Sequence, residues 1–106
     1  DLVTALAGSG PGFVYRFIDA LAGAAADLGL DAPIAARLAL VTVEGAAALA
    51  ASSDVDSATL ADRVASPGGM TREGLNVLDE GAALRRLLGE TLRATRDKGA
   101  ALSRTA

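Results

Sequence analysis

Residues 33–51 form the stretch that most limits the folds open to this chain. They read PIAARLALVTVEGAAALAA, and Arg37 and Glu44 are the only charged residues among them. These two lie seven positions apart, which places them on one face of a helix. Apolar side chains then occupy nearly every other side, so the segment predicts a helix that needs cover almost all round. A chain of 106 residues can scarcely supply that cover alone, and we infer that partner subunits cover part of the helix.

Helix signals extend along the rest of the chain. Proline, whose missing N–H would be unpaired in a first helical turn, marks the start of two helices. A Ser/Asp loop offers Asp56 or Ser57 as the cap of a third helix. The sequence shows no strand-like alternation and no internal repeat, so we predict an all-α helical bundle in one domain spanning residues 1–106. The expected helices cover about residues 11–29, 33–51, 57–64, 70–78 and 80–102.

Composition excludes several kinds of chemistry. The chain has no cysteine and no histidine, so within it a disulfide framework, a thiolate metal site and Ser–His or Cys–His catalysis are excluded. We expect no metal cofactor. Its ten basic residues are scattered and its net charge is −3, so we expect no nucleic-acid partner.

The start of the chain and the length of its apolar runs indicate a cellular location. We find no apolar run of the roughly 18–20 residues that span a bilayer, and no signal-peptide pattern at the start. We therefore expect a cytoplasmic protein without a membrane partner. The first residue is Asp1 rather than methionine, so we expect the chain to be an excised or processed piece of a longer protein.

Residues 66–71 read SPGGMT, an unusual way to begin a helix because glycine is a poor helix former. One interpretation is a tight turn, in which Pro67 sets φ, the glycines permit positive φ, and Ser66 or Thr71 caps the following helix. The other is a binding site for an anion such as a carboxylate. Two glycines at a helix start leave backbone N–H groups uncovered, and the helix dipole adds to their attraction. The residues alone leave both interpretations open.

Two other groups of charged residues favour structural roles. Asp54 and Asp56 could form a paired-carboxylate site for acid/base chemistry. They lie in a Ser/Asp loop ahead of a helix, which is typical of helix caps, and we interpret them as caps. Glu44 is expected to pair with Arg37 or with an arginine of a partner subunit.

Three blocks of sequence, in order along nearly the whole chain, carry a family resemblance. They are GSGPGFVYRFIDAL at 8–21, EGAAALAAS at 44–52 and DRVASPGGMTREGLNVLDEG at 62–81. Together they resemble the C-terminal domain of pyrroline-5-carboxylate reductase. The SPGG-x-T block followed by GLNVLDEG is the specific part of the match.

The resemblance implies an oxidoreductase of proline biosynthesis that passes a hydride from NADPH or NADH to the C=N bond of pyrroline-5-carboxylate. It also implies a helical fold like the C-terminal domain of 6-phosphogluconate dehydrogenase, interlocked into a homodimer, with a higher ring of dimers in some members. In this family a Rossmann domain precedes the helical domain. The chain has no G-x-G-x-x-G after a strand, so we expect it to lack the cofactor site and to be inactive by itself.

The resemblance also implies roles for the residues of SPGGMT. The substrate carboxylate, or that of the product proline, would rest on backbone N–H groups around Gly68, Gly69 and Met70. Thr71 would be the catalytic residue and would hydrogen-bond the ring nitrogen, which helps to orient the imine carbon for reduction. Ser66 would support the turn and contact the carboxylate.

The chain departs from the family pattern in two places. The family usually has Ser-Gly-Ser-Gly-Pro-Ala-Tyr where this chain has AGSGPGF at 7–13, so a serine and a tyrosine hydroxyl are lost. Gly10 and Pro11 keep the turn, which we expect near the same pocket, contributed across the dimer. Met70 replaces a smaller residue beside the carboxylate site, and because its backbone N–H remains we expect binding to survive with altered packing.

Two further hypotheses come from other classes of protein. One is a stand-alone helical module whose apolar faces bind a partner protein, with SPGGMT only a connector. The other is the helical domain of another hydroxyacid or imine reductase of this architecture. The missing cofactor domain favours the module, whereas the residue-level match in the turn favours the pyrroline-5-carboxylate reductase.

Overall fold

The computed structural model describes residues 1–105, which are mostly helical and contain no β-strand. The all-α prediction is confirmed. A π-helical turn at Thr4–Gly8 precedes the first helix, and a 3₁₀ turn at Glu80–Ala82 joins the last two. The helices are α1 (Gly10–Asp27), α2 (Ala32–Ser52), α3 (Ser57–Arg63), α4 (Met70–Asp79) and α5 (Ala83–Thr105).

The N-terminal segment differs from its prediction. We expected a Gly-Ser-Gly-Pro turn before α1, but Ser9 keeps helical backbone angles (φ −89°, ψ −19°), and its N–H donates to the Thr4 carbonyl at 3.2 Å. The carboxylate of Asp1 accepts the N–H of Thr4 at 2.9 Å, which gives the helical segment an acceptor for a first-turn donor. Pro11 is the second residue of α1, where its missing N–H costs nothing.

Residues 10–56 form one compact unit, in which α1 and α2 pack together. Helix α1 ends in a Schellman motif: the N–H of Leu30 donates to the carbonyl of Ala25, and that of Gly29 donates to the carbonyl of Ala26. Gly29 has φ +115°, which side chains rarely adopt. Asp31 then caps α2 by accepting the N–H of Ile34 at 3.3 Å. Four residues therefore separate the end of α1 from the start of α2.

Helix α2 buries only alanine in this unit. Ala35 and Ala39 are its buried residues, one helical turn apart on the same face. A second face, set about 100° away by helical periodicity, remains exposed along the helix. We call it the apolar stripe of α2, and its members are Ile34, Leu38, Val41 and Leu49. The folded chain therefore leaves much of the apolar surface of this helix exposed, as the sequence predicts.

The length of α2 corrects one expectation from the sequence. Ala32–Ser52 is long and apolar enough to cross a bilayer by length and composition. The sequence had indicated no run of that length, because Arg37 and Glu44 interrupt the apolar letters without interrupting the helix. This property is weak evidence of membrane insertion, since a helix covered by other protein passes the same test.

Residues 1–9 and the segment that begins at Ser57 form a second compact unit. The π-helical turn and α4 both pack on α5 in this unit. Ala5 and Ala65 are its buried residues. The interlocked dimer, the likeness to 6-phosphogluconate dehydrogenase and the single domain over 1–106 stay predictions.

The junction of α4 and α5 contains two consecutive residues with left-handed backbone. Gly81 has φ +58° and Ala82 has φ +56°. The guanidinium of Arg86 donates to the Gly81 carbonyl at 3.1 Å, which ties the junction to the first turn of α5. These angles explain why α5 begins at Ala83 rather than near residue 80 as predicted, since a right-handed helix cannot continue through them.

Replacing Ala82 with glycine should raise the free energy of unfolding by roughly 0.5–1 kcal/mol, because glycine adopts this backbone without a Cβ clash. Urea unfolding of the protein measures the change. The control is Ala94→Gly, at an exposed position in the middle of α5, which should lower the same free energy by about 1 kcal/mol. Destabilisation by Ala82→Gly would contradict the left-handed assignment.

Candidate functional site

The segment between α3 and α4 is a tight β-turn over residues 66–69. The N–H of Gly69 donates to the Ser66 carbonyl at 3.0 Å. Gly68 has φ +74°, and Pro67 precedes it, which is the residue pattern typical of a type II turn. The first interpretation of SPGGMT, a tight turn, therefore describes its backbone.

The start of α4 presents backbone donors that the turn does not use. Gly69 is the N-terminal cap residue, with extended backbone (φ −88°, ψ 173°), and its carbonyl accepts the N–H of Glu73 at 3.1 Å. The N–H groups of Met70, Thr71 and Arg72 precede that bond. Within residues 1–105 we find no acceptor for these three donors. They point along the positive end of the helix dipole, as an anion-binding site requires.

The structure differs from the prediction in two details of the site. We named Ser66 or Thr71 as the cap of α4, but Gly69 holds the cap position and no side chain caps the helix. We also named Gly69 among the N–H donors to a carboxylate, but its N–H is used inside the turn. The N–H of Gly68 has no acceptor within residues 1–105 either, so the available donors are those of Gly68 and of residues 70–72.

The side chains of the segment leave the helix start open. Ser66 and Thr71 are exposed, and within the described chain the Thr71 hydroxyl has no hydrogen-bond partner. Met70 is 93% exposed. A Cβ added at Gly69 would lie 3.2 Å from the Ser66 carbonyl oxygen, closer than nearly all such contacts. Glycine at 68 thus suits the left-handed backbone angle, and a side chain at 69 would crowd the Ser66 carbonyl.

An ion pair that the sequence gave no reason to expect spans the turn. The guanidinium Nη2 of Arg72 lies 2.9 Å from Oδ1 of Asp62, and the same nitrogen lies 3.5 Å from the carbonyl oxygen of Ala65. Arg72 is in the first turn of α4, whereas Asp62 is near the end of α3. They are ten positions apart on either side of a turn, so no helical spacing connects them, and we find no sequence signal that would have identified them.

Gly10 and Pro11, expected near the same pocket, begin α1 in the unit of residues 10–56. Both belong to a regular first helical turn rather than to an irregular loop. Their role as pocket lining stays a prediction.

An open groove on α4 is a poor place for an anionic substrate. Its lining includes the carboxylates of Glu73, Asp79 and Glu80. Three negative groups would repel a carboxylate, whereas the helix start at residues 70–72 attracts one. In the described residues we find no group of three or more His, Cys, Asp or Glu side chains that could hold a metal ion.

The sequence pattern of a known family matches this chain. The family is described as "Pyrroline-5-carboxylate reductase dimerisation", and the match covers residues 1–102. The chain belongs to this family. The resemblance found in the three sequence blocks is thereby confirmed, and the hypothesis of another imine or hydroxyacid reductase has no support.

Relatives and solved structures agree with the family. Pyrroline-5-carboxylate reductase of Aquifex aeolicus is 50% identical over 80 residues, covering 76% of this chain and 30% of that protein. The Methanosarcina acetivorans enzyme is 38% identical over 95 residues, covering 90% and 35%. The structure of the Coxiella burnetii reductase superposes with a TM-score of 0.88 at 37% identity, covering 95% of this chain and 37% of that one.

A Plasmodium falciparum pyrroline carboxylate reductase, solved with NADP bound, matches with a TM-score of 0.85 at 33% identity. It is covered over 39% of its length, and this chain over 92%. The chain thus spans about a third of the length of the reductases that it matches.

Replacing Gly68 with alanine should lower the free energy of unfolding by about 1 kcal/mol, because the left-handed backbone at this position strains any L side chain. Nothing lies within 4 Å of the added Cβ, so the cost is conformational. Gly74→Ala is the matched control, since its Cβ also meets nothing within 4 Å but its backbone is helical. It should raise stability by up to about 1 kcal/mol. Equal effects of the two variants in urea unfolding would disprove the turn geometry.

Proposed function

We propose that this chain is the helical domain of a pyrroline-5-carboxylate reductase, which reduces 1-pyrroline-5-carboxylate to L-proline with NADPH or NADH. The observation that supports it most is the start of α4, where three backbone N–H groups without acceptors follow a glycine turn. That arrangement suits a small carboxylate. The family of the chain and its specific SPGG-x-T block agree with such a substrate.

The carboxylate of the substrate binds at the start of α4. Its oxygens accept from the N–H groups of Met70, Thr71 and Arg72, in a position that the glycines at 68 and 69 leave free of side chains. Charge-assisted hydrogen bonds of this kind are shorter and stronger than neutral ones. Ser66 forms the turn through its carbonyl, and its exposed hydroxyl lies at the edge of the site.

Thr71 is the residue of the chain that acts on the reacting part of the substrate. Its hydroxyl, free of partners within the described chain, hydrogen-bonds the ring nitrogen, whose charge changes when the C=N bond is reduced. The same residue offers its backbone N–H to the carboxylate. Two contacts from one residue fix both position and rotation of a small ring, which is how orientation lowers a barrier.

The nicotinamide coenzyme, which supplies the hydride when bound, has no fitting site among the described residues. They form helices without the strands of a dinucleotide-binding domain. We propose that the Rossmann domain of the reductase holds the coenzyme and that this helical domain acts in a cytoplasmic enzyme without a metal.

A homodimer covers the apolar stripe of α2 in this proposal. Four large apolar side chains, each at least half exposed, lie along one helix face, and contiguous apolar surface of this kind often marks a protein–protein interface. Gly45 lies on the same face and permits close approach of another backbone. A ring of dimers, which the family resemblance implies for some members, would extend the same assembly.

Thr71→Ala in the full-length enzyme should lower kcat/KM for pyrroline-5-carboxylate by roughly 10- to 100-fold, the usual effect of losing a hydrogen bond to a charged group. Thr71→Ser should keep most of the activity because it retains the hydroxyl. The control is Thr91→Ala, whose hydroxyl donates to the Leu87 carbonyl in α5. Unchanged steady-state kinetics for Thr71→Ala would remove this residue from the mechanism.

Leu38→Glu should weaken the dimer by at least roughly 100-fold, because a two-fold interface contains the residue twice and each copy loses its burial. Sedimentation velocity at micromolar concentration measures the dissociation. The control is Ala51→Glu, which places the same charge on the face of Arg37 and Glu44, each seven positions from the next. A monomeric parent protein, or a dimer unaffected by Leu38→Glu, would contradict the assignment of this face.

A further inference from the structure

The ion pair of Arg72 and Asp62 brackets the turn that carries the proposed site. Asp62 lies before the turn in α3, and Arg72 lies after it in α4. Nη2 of Arg72 reaches both the Asp62 carboxylate at 2.9 Å and, at 3.5 Å, the carbonyl of Ala65, which immediately precedes Ser66. One side chain therefore links both ends of the turn.

The backbone alone holds this turn weakly. One hydrogen bond, from Gly69 to Ser66, closes it, and its two glycines are the residues with the greatest backbone freedom. The direction of the α4 donors relative to Ser66 then depends on how α4 is fixed to the end of α3. Ala65 is buried and provides a fixed point beneath the turn, and the Arg72 side chain ties the first turn of α4 to it.

We propose that Arg72 is a positioning residue for substrate, which orients the backbone donors of residues 70–72 through its contacts with Asp62 and Ala65. The inference rests on the proposed function of the turn. Arg72 is only 28% exposed, whereas Asp62 is 68% exposed. An ion pair so open to water contributes about 0–1 kcal/mol to folding, so its loss affects ligand geometry more than stability.

The test uses the full-length reductase, with steady-state kinetics in both substrates and thermal unfolding. Arg72→Ala should raise the KM for pyrroline-5-carboxylate by up to about fivefold, because a contact that contributes at most about 1 kcal/mol is lost. The KM for the coenzyme should stay unchanged, because in the proposed function the Rossmann domain holds the coenzyme. The melting temperature should fall by less than roughly 4 °C.

Three further variants separate positioning from general damage. Arg72→Lys should recover most of the affinity, since an ammonium group can donate to the same two oxygens. Asp62→Ala should raise the same KM. The double variant should have a KM no higher than that of Arg72→Ala alone, because each single change already removes the contact between Arg72 and Asp62. Arg16→Ala is the matched control: it breaks the Arg16–Asp19 pair on α1, which is 84% and 76% exposed, and should leave every parameter unchanged.

The outcomes distinguish this proposal from the function on which it rests. If Gly69→Ala raises the KM for pyrroline-5-carboxylate and Arg72→Ala does not, the turn binds substrate and the positioning role is wrong. If Gly69→Ala, Thr71→Ala and Arg72→Ala all leave the kinetics unchanged, the proposed site itself is wrong. A rise of both KM values together with a large loss of melting temperature, unrepaired by Arg72→Lys, would assign Arg72 to folding alone.

Discussion

Close packing on alanine is the constraint on which this structure depends. The buried residues of the described chain are Ala5, Ala35, Ala39 and Ala65, and among those residues no large side chain is fully buried. An alanine methyl removes little apolar surface from water, and each buried carbon contributes only about 0.8 kcal/mol. Because its side chain is small, alanine also lets helices approach closely. Several of the large apolar side chains stay exposed as a result, among them Ile34, Leu38 and Leu49.

The large apolar side chains left exposed on α2 link the stability of the fold to assembly. If the apolar stripe of α2 is covered by a second copy, as we propose, then the folded domain and the dimer are stabilised by the same contacts, and protein concentration becomes part of its stability. The family of the chain is described by dimerisation, which agrees with this dependence.

Residues with strong local preferences were predictable from sequence. The apolar run of α2, its start beside a proline and the glycine turn after Pro67 each carry their signal within a few letters, and the helices lie within a few residues of their expected bounds. The left-handed Ala82 was not predictable, because alanine favours a right-handed helix and tertiary context overrides it there. Nor was the Asp62–Arg72 pair, since two helix positions across a turn meet only once the turn angle is set. The use of the Gly69 N–H depended on the turn type, which the letters PGG leave open.

The position of the free donors has a consequence for the entropy of ligand capture. Three of them belong to the first turn of α4, whose backbone is fixed by the helix, and not to the flexible glycine pair before it. A ligand that meets them therefore freezes few protein torsions, and little of its interaction energy is lost to ordering the receptor. Rigid placement of this kind favours small, stiff molecules, for which every contact must be nearly ideal at first encounter.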